Sequence, residues 1–158
     1  MDIVLRESLV FSNVEAANRE EVLRFLAEQL QTQSMVSNGF SDAILAREAE
    51  YPTGLNTSAL GLAIPHADAC HVLQNAFAVA KLRTPVLFRH MAEDTDVAVE
   101  LVFMMALNNA SEQIQILSGV LALFTDDEIG KRLHESQNAS EIYQIIHTRM
   151  KQICGEEV

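Results

Sequence analysis

The run VAVELVFMMAL, from Val97 to Leu107, decides the fold of this chain. Every residue in it except Glu100 is apolar. Such a run is typical of a central β-strand that is covered on both faces, and it is too short to span a bilayer. We therefore predict a strand over residues 97–107, and we expect Glu100 near one of its ends or at a turn.

Three shorter segments upstream of this run are also predicted as strands. They are Ala59–Ile64, Asn75–Leu82 and Pro85–Arg89. The last two are expected to be separate strands joined by a tight connection at Arg83-Thr84. Together with residues 97–107 they indicate a sheet in the middle of the chain.

Helices are predicted on both sides of this middle section. Asn18 and Glu21 form a capping box, and apolar residues then recur at helical spacing. A second helix is predicted from Ser41 to about Glu50, ended by Pro52 and Gly54. The stripe after Asn18 consists of Val22, Leu23, Leu26 and Leu30, and Ile44 and Leu45 are expected to face inward from the second helix.

The last third of the chain is predicted to be helical throughout. One continuous apolar face is expected, made of Ile114, Leu117, Val120, Leu121 and Phe124. Asp126-Asp127 is expected to cap a short helix through Leu133, and Asn138 and Glu141 repeat the capping box. The order of elements predicts an α/β fold, a three-layer α/β/α sandwich with a mixed, mostly buried sheet, in a single domain over residues 1–158.

Composition limits the classes of function. The chain has 158 residues and a formal net charge of −11, so nucleic acid would repel it and no binding to nucleic acid is expected. The acidity favours either a basic protein partner or simple solubility. Cys70 and Cys154 lie far apart and are expected to be reduced thiols. Met1-Asp2-Ile3 does not resemble a signal peptide, so a cytoplasmic protein without membrane insertion is expected.

The hexapeptide Gly61-Leu62-Ala63-Ile64-Pro65-His66 is the strongest candidate for a functional site. A predicted strand brings His66 to the edge of the sheet, and Pro65 is expected to end the ladder because it has no backbone donor. Small residues surround the histidine, and Asp68 follows two positions later. A rigid but accessible imidazole can accept a group from one partner and pass it to another.

Arg47 and Glu48 form a second candidate pair near the end of the predicted second helix. A guanidinium can bind a phosphoryl group through a planar fork of donors. Taken alone, an Arg-Glu pair on a helix is more often a solvated face. Both interpretations of this pair remain open from the residues alone.

Several other chemistries lack a motif in this sequence. There is no GxGxxG, GxxxxGK[ST] or GxSxG, which argues against nucleotide-fold and hydrolase activities. His71 follows His66 by five residues, which does not match a helical pair of metal ligands, and a structural role is favoured for it. We expect no metal and no cofactor.

The chain resembles the enzyme IIA component of bacterial sugar phosphotransferase systems, in the fructose–mannitol superfamily. The resemblance rests on Ala46-Arg-Glu-Ala-Glu-Tyr-Pro-Thr-Gly-Leu55 followed by Ala63-Ile-Pro-His66, and it looks most similar to the galactitol-type branch. Asp96-Val-Ala-Val99 and Gln113-Ile-Gln-Ile-Leu117 agree with it. It covers essentially the whole chain.

The resemblance implies a phosphotransferase with a phosphohistidine intermediate. His66 would receive a phosphoryl group from the phosphocarrier protein HPr and give it to a cysteine of enzyme IIB, which serves a membrane enzyme IIC. It also implies that Nε2 is the ring nitrogen that attacks, and that Arg47 stabilises the phosphoryl group. The second histidine of mannitol-type members is matched by Gln113, which can donate a hydrogen bond but cannot carry a proton.

Two alternatives to a sugar phosphocarrier remain open. One is a regulatory module of the same fold, whose phosphorylation controls a transporter, kinase or transcription regulator. The other is a non-catalytic interaction domain. The retention of His66 together with Arg47 argues against the second.

Overall fold

A computed structural model describes residues 3–154 of the chain, and the bounds of its helices and strands follow from the backbone. Met1, Asp2 and the side chain of Cys154 lie outside this description. The described strands are β1 (Val10–Val14), β2 (Gly54–Asn56), β3 (Gly61–Ala63), β4 (Ala76–Arg89) and β5 (Asp96–Ala106). The helices are α1 (Arg19–Thr32), α2 (Phe40–Glu50), α3 (Ala110–Phe124), α4 (Asp127–Glu135) and α5 (Ala139–Cys154). None of these helices is long and apolar enough to cross a membrane.

The strands form one mixed sheet in the order β1-β4-β5-β3-β2. β5 is central, antiparallel to β4 and parallel to β3, while β1 runs parallel to β4 and β2 antiparallel to β3. The predicted central strand is thereby confirmed. Because β3 and β5 are parallel neighbours, the segments that follow them leave the sheet at the same edge.

Helices cover both faces of the sheet and bury two apolar cores. The first core packs α1 and α2 against the sheet, through residues such as Leu26, Phe40 and Met104. The second packs α3, α4 and α5 against the opposite face, through residues such as Phe103 and Phe124. The predicted α/β/α sandwich is therefore confirmed.

Most of the predicted helix starts are found where the capping residues place them. The Asn18 side chain accepts a hydrogen bond from the Glu21 amide, and Asp126 and Asn138 do the same for α4 and α5. The apolar face predicted for α3 is wrong in part. Ile114 is 70% exposed, and the buried stripe consists of Ile116, Val120, Leu123 and Phe124.

The prediction of two strands joined at Arg83-Thr84 is wrong. Both segments belong to β4, because both pair with β5: Ala80 lies opposite Val102, and Val86 lies opposite Val99. Six steps along β4 thus match three steps along β5, which gives an irregularity rather than a reversal.

Glu100 lies inside β5, at this irregularity, and not near a strand end or a turn as predicted. Val97 and Val99 face the first core, whereas Leu101 faces the second, so the two-residue alternation of the strand breaks at Glu100. Its carboxylate meets Nδ1 of His134 on α4 at 2.8 Å. The one charged residue inside this apolar strand is thus paired with a hydrogen-bond partner.

Candidate functional site

His66 lies at the carboxyl end of β3, beside the central strand β5. β3 ends at Ala63, but the Pro65 carbonyl still accepts a hydrogen bond of 3.0 Å from the Met105 amide, and His66 bridges to Met105. The prediction that Pro65 ends the ladder is therefore wrong on this side, because proline lacks only the donor and keeps its acceptor. In open α/β sheets, ligands bind at this edge, beyond the carboxyl ends of the strands.

The hydrogen bond of the His66 ring determines which nitrogen is free. Nδ1 lies 3.0 Å from the carbonyl oxygen of Ile64. Because a carbonyl only accepts, Nδ1 carries the proton of the neutral ring and donates it, and Nε2 keeps its lone pair.

Electrostatics favour this neutral form of His66. Partial burial lowers the pKa of the imidazole below its ordinary value of 6.5, and the positive charge of Arg47 lowers it further. The hydrogen bond to Ile64 acts in the opposite direction but is outweighed. The ring is therefore unprotonated at Nε2 near neutral pH.

Arg47 lies in the last turn of α2, close enough to His66 for its charge to act on the ring. One terminal nitrogen lies 3.4 Å from an Asp68 carboxylate oxygen, and the guanidinium lies 5.0 Å from the centroid of the Tyr51 ring. Its buried Nε has no hydrogen-bond partner among the described residues. The guanidinium is thus oriented by its neighbours while part of its donor capacity is unused.

Glu48, the residue after Arg47, is buried and only 4% exposed. The interpretation of the Arg-Glu pair as a solvated face is therefore wrong for Glu48. Its carboxylate accepts the Thr53 amide at 2.8 Å and the Thr53 hydroxyl at 2.9 Å. Burial raises the pKa of Glu48 to about 7, although these hydrogen bonds and the charge of Arg19 oppose the shift.

Thr53 extends this contact to the strand that carries His66. Its hydroxyl oxygen lies 3.2 Å from the Ile64 amide, which donates to it. Glu48, Thr53 and Ile64 therefore form a continuous hydrogen-bonded chain that reaches the residue bonded to the His66 ring. The sequence motif contains all of these residues, but the contact between Glu48 and Thr53 was not predicted.

The remaining candidates lie near this edge without a hydrogen bond to it. Gln113 is half-buried in the first turns of α3, and its amide donates to the Asn109 carbonyl. The structure gives its side chain no hydrogen bond to either His66 or Arg47, all three being among the described residues. His71 accepts from the Ser37 amide through its carbonyl and lies against Gly39, as a structural residue would.

Other reactive side chains do not gather at a second centre. Cys70 is exposed, four residues after His66. Within the described part of the chain, no group of three or more His, Cys, Asp or Glu residues is arranged to hold a metal ion. The candidate site therefore provides one unprotonated imidazole nitrogen, Nε2 of His66, with Arg47 beside it.

Comparison with protein families identifies the family to which this chain belongs. The model "Phosphoenolpyruvate-dependent sugar phosphotransferase system, EIIA 2" matches residues 3–148. The chain belongs to this EIIA family. EIIA proteins are phosphotransferases by family and form the sugar phosphotransfer components of these systems, as the resemblance in the sequence implied.

Individual relatives support the family and the fold. The galactitol-specific EIIA component of Escherichia coli K12 is 32% identical over 108 residues, which cover 68% of this chain and 72% of that protein. Enzyme IIA for mannitol from E. coli, solved in complex with phosphorylated enzyme IIB, superposes with a TM-score of 0.75 at 27% identity and covers 92% of this chain and 99% of its own. The nitrogen regulatory protein IIA-Ntr of Neisseria meningitidis superposes with a TM-score of 0.76 at 27% identity, covering 90% and 96%.

Proposed function

We propose that this EIIA protein is a phosphocarrier whose relay residue is His66. The observation that carries the proposal is the hydrogen bond from Nδ1 to the Ile64 carbonyl, which leaves Nε2 unprotonated on a partly exposed ring at the carboxyl edge of the sheet. A single domain over residues 1–158 would contain the whole relay site. No free sugar would bind to this chain.

Two displacements make up the proposed reaction. The lone pair of His66 Nε2 attacks the phosphorus of the phosphohistidine of HPr, a new N–P bond forms, and the donor nitrogen takes back its electron pair as its N–P bond breaks. The phosphorylated ring then carries the proton on Nδ1 and the phosphoryl group on Nε2. A cysteine thiolate of enzyme IIB next attacks the phosphorus, and the electron pair of the broken N–P bond returns to Nε2.

Arg47 would supply the positive charge for both displacements. The phosphoryl group spreads negative charge over its oxygens, and a guanidinium beside His66 can bind two of them. Asp68 competes for the same guanidinium in the unphosphorylated protein, but this exposed pair is weak, at most about 1 kcal/mol. Gln113 is proposed as an additional donor to a phosphoryl oxygen, in place of a second histidine.

The proposed partners are HPr, a cognate enzyme IIB and, through it, a membrane enzyme IIC, and the protein would act in the cytoplasm. The similarity to enzyme IIA for mannitol, solved with phosphorylated IIB, supports the IIB partner. The net charge of −11 favours partners with basic surfaces. The 32% identity to a galactitol-specific component supports galactitol or a similar polyol as the transported compound.

The proposal predicts that His66→Ala abolishes labelling by phosphorylated HPr. The assay is a relay from phosphoenolpyruvate through enzyme I and HPr, followed by transfer to candidate IIB proteins. His134→Ala is the matched control, because His134 lies exposed on α4 outside the site. Its labelling should equal that of the wild type. Undiminished labelling of a folded His66→Ala protein would contradict the proposal.

A regulatory protein is the second candidate, and the similarity to nitrogen regulatory protein IIA-Ntr favours it. Such a protein would accept the phosphoryl group on His66 and use it to alter binding to a transporter or regulator. Transfer to an enzyme IIB separates the two functions. A carrier passes its label to the cognate IIB within the relay assay, whereas a regulatory module keeps it.

A further inference from the structure

The segment Ile64-Pro65-His66 is hydrogen-bonded to residues on both sides of it. On the side of β5, the Met105 amide donates to the Pro65 carbonyl at 3.0 Å. On the side of β2, the Ile64 amide donates to the Thr53 hydroxyl at 3.2 Å. The Ile64 carbonyl lies between these two anchors, and it is the group that accepts the His66 ring proton.

Thr53 occupies the place where the β2–β3 ladder would continue. Gly54 pairs with Ala63, so the next pair in the antiparallel register is Thr53 with Ile64. The backbone pairing stops there, because the side-chain hydroxyl of Thr53 accepts the hydrogen bond of the Ile64 amide. A backbone hydrogen bond is thus replaced by one from a side chain.

Glu48 keeps the Thr53 amide out of the β2–β3 ladder by accepting its hydrogen bond. The Thr53 amide donates to the Glu48 carboxylate at 2.8 Å, and the Thr53 hydroxyl donates to it at 2.9 Å. An amide at this position could otherwise be directed at the carbonyl of Ile64 across the register. With the amide bound to Glu48, the Ile64 carbonyl stays available to the His66 ring.

We infer that Glu48 and Thr53 are positioning residues for phosphoryl transfer: they end the β2–β3 ladder so that the Ile64 carbonyl holds the His66 ring with Nε2 free. The inference rests on the proposed function of His66. Neither residue touches the phosphoryl group in this account. Both act through Ile64, as outer hydrogen-bond partners commonly orient a functional histidine.

The arrangement matters most after His66 has been phosphorylated. A ring with a phosphoryl group on Nε2 and a proton on Nδ1 carries positive charge, so its hydrogen bond to the Ile64 carbonyl becomes charge-assisted and stronger. A carbonyl fixed by Thr53 needs no reorganisation when this charge develops. Loss of the anchor should therefore slow acceptance and also disturb the ring tautomer.

Thr53→Val tests the inference, because valine keeps the shape of the side chain and removes the hydroxyl. We expect its acceptance from phosphorylated HPr to fall about tenfold or more, by analogy with the loss found when the hydrogen-bond partners of metal-binding histidines are removed. The ¹⁵N resonances of the unphosphorylated His66 ring should change from one tautomer to a mixture. Thr53→Ser should restore both readouts, since serine keeps the hydroxyl.

Thr57→Val is the matched control at the opposite end of the same hairpin. The Thr57 hydroxyl donates to the Leu60 carbonyl at 2.7 Å and accepts the Leu60 amide at 3.1 Å, without touching Ile64. This variant loses a hydroxyl of the same kind. Its His66 tautomer and its acceptance rate should match those of the wild type.

Glu48→Gln provides a second variant in case Thr53→Val fails to fold. Glutamine preserves the size of the side chain but replaces one of the two oxygens that accept from Thr53 with an amide donor, so acceptance should again fall and the tautomers should mix. A folded variant at either position with the wild-type tautomer and rate would overturn the inference. If the wild type itself accepts no phosphoryl group, the proposed function fails, while the tautomer measurement still tests the positioning.

Discussion

At the scale of the residue, the site depends on one proton and one lone pair. The Ile64 carbonyl holds the proton on Nδ1 of His66, at 3.0 Å. Burial and the charge of Arg47 both lower the pKa of the ring, so that Nε2 stays free near neutral pH. The same Arg47 charge that opposes protonation would attract the phosphoryl group, so one residue serves both requirements.

Arg47→Gln should therefore have two measurable effects. Acceptance from phosphorylated HPr should fall on the order of a hundredfold, because a charged donor to the transition state is lost. The pKa of His66 in an NMR titration should rise, because a neighbouring positive charge is removed. Arg24→Gln is the control, since Arg24 makes a surface contact of 3.8 Å with Asp42 on α2. Equal rates and equal His66 pKa values in Arg47→Gln and wild type would contradict the assigned role.

At the scale of the element, the sequence predicted those strands and helices whose positions depend on local patterns of residues. The 97–107 strand follows from its apolar run, and α1, α4 and α5 begin at the capping residues that the sequence shows. β1 and β2 were not predicted, because each is short and lies at an edge of the sheet, where an apolar pattern is weak. β4 was divided in two because its irregularity resembles a turn until its pairing with β5 is known.

The site shows the same limit on sequence-based prediction. His66 and Arg47 stand out because their residue types and neighbouring motifs suggest a chemistry. For Glu48, the interpretation as part of a solvated face remained open, because nothing in the sequence shows that α2 turns it towards Thr53. The Ile64 carbonyl was not predicted either, since backbone acceptors carry no signature in a sequence.

At the scale of the whole molecule, one buried carboxyl links stability to pH. The pKa of Glu48 is about 7 in the folded protein, against 4.5 as the ordinary value. Between these values the folded state holds a proton that the unfolded state has released, so stability falls as pH rises. The full effect above pH 7 is about 3 kcal/mol, since each pKa unit corresponds to about 1.4 kcal/mol.

Urea unfolding of wild type and Glu48→Gln from pH 4.5 to 8 measures this contribution. The free energy of unfolding of the wild type should decline across this range relative to that of the variant. His66 acts in the opposite sense, because its lowered pKa costs stability as pH falls below 6.5. Both proteins are therefore measured in a His66→Ala background, from which this contribution is absent. Parallel pH profiles would show that Glu48 does not titrate as described.

The most direct test of the account is to locate the phosphoryl group on the protein. The wild type, labelled with ¹⁵N in its histidines, is phosphorylated by enzyme I and HPr and examined by ¹⁵N and ³¹P NMR. The account predicts phosphorus bonded to Nε2 of His66, with the proton retained on Nδ1. Phosphorus on Nδ1 of His66, or on any other residue, would contradict it.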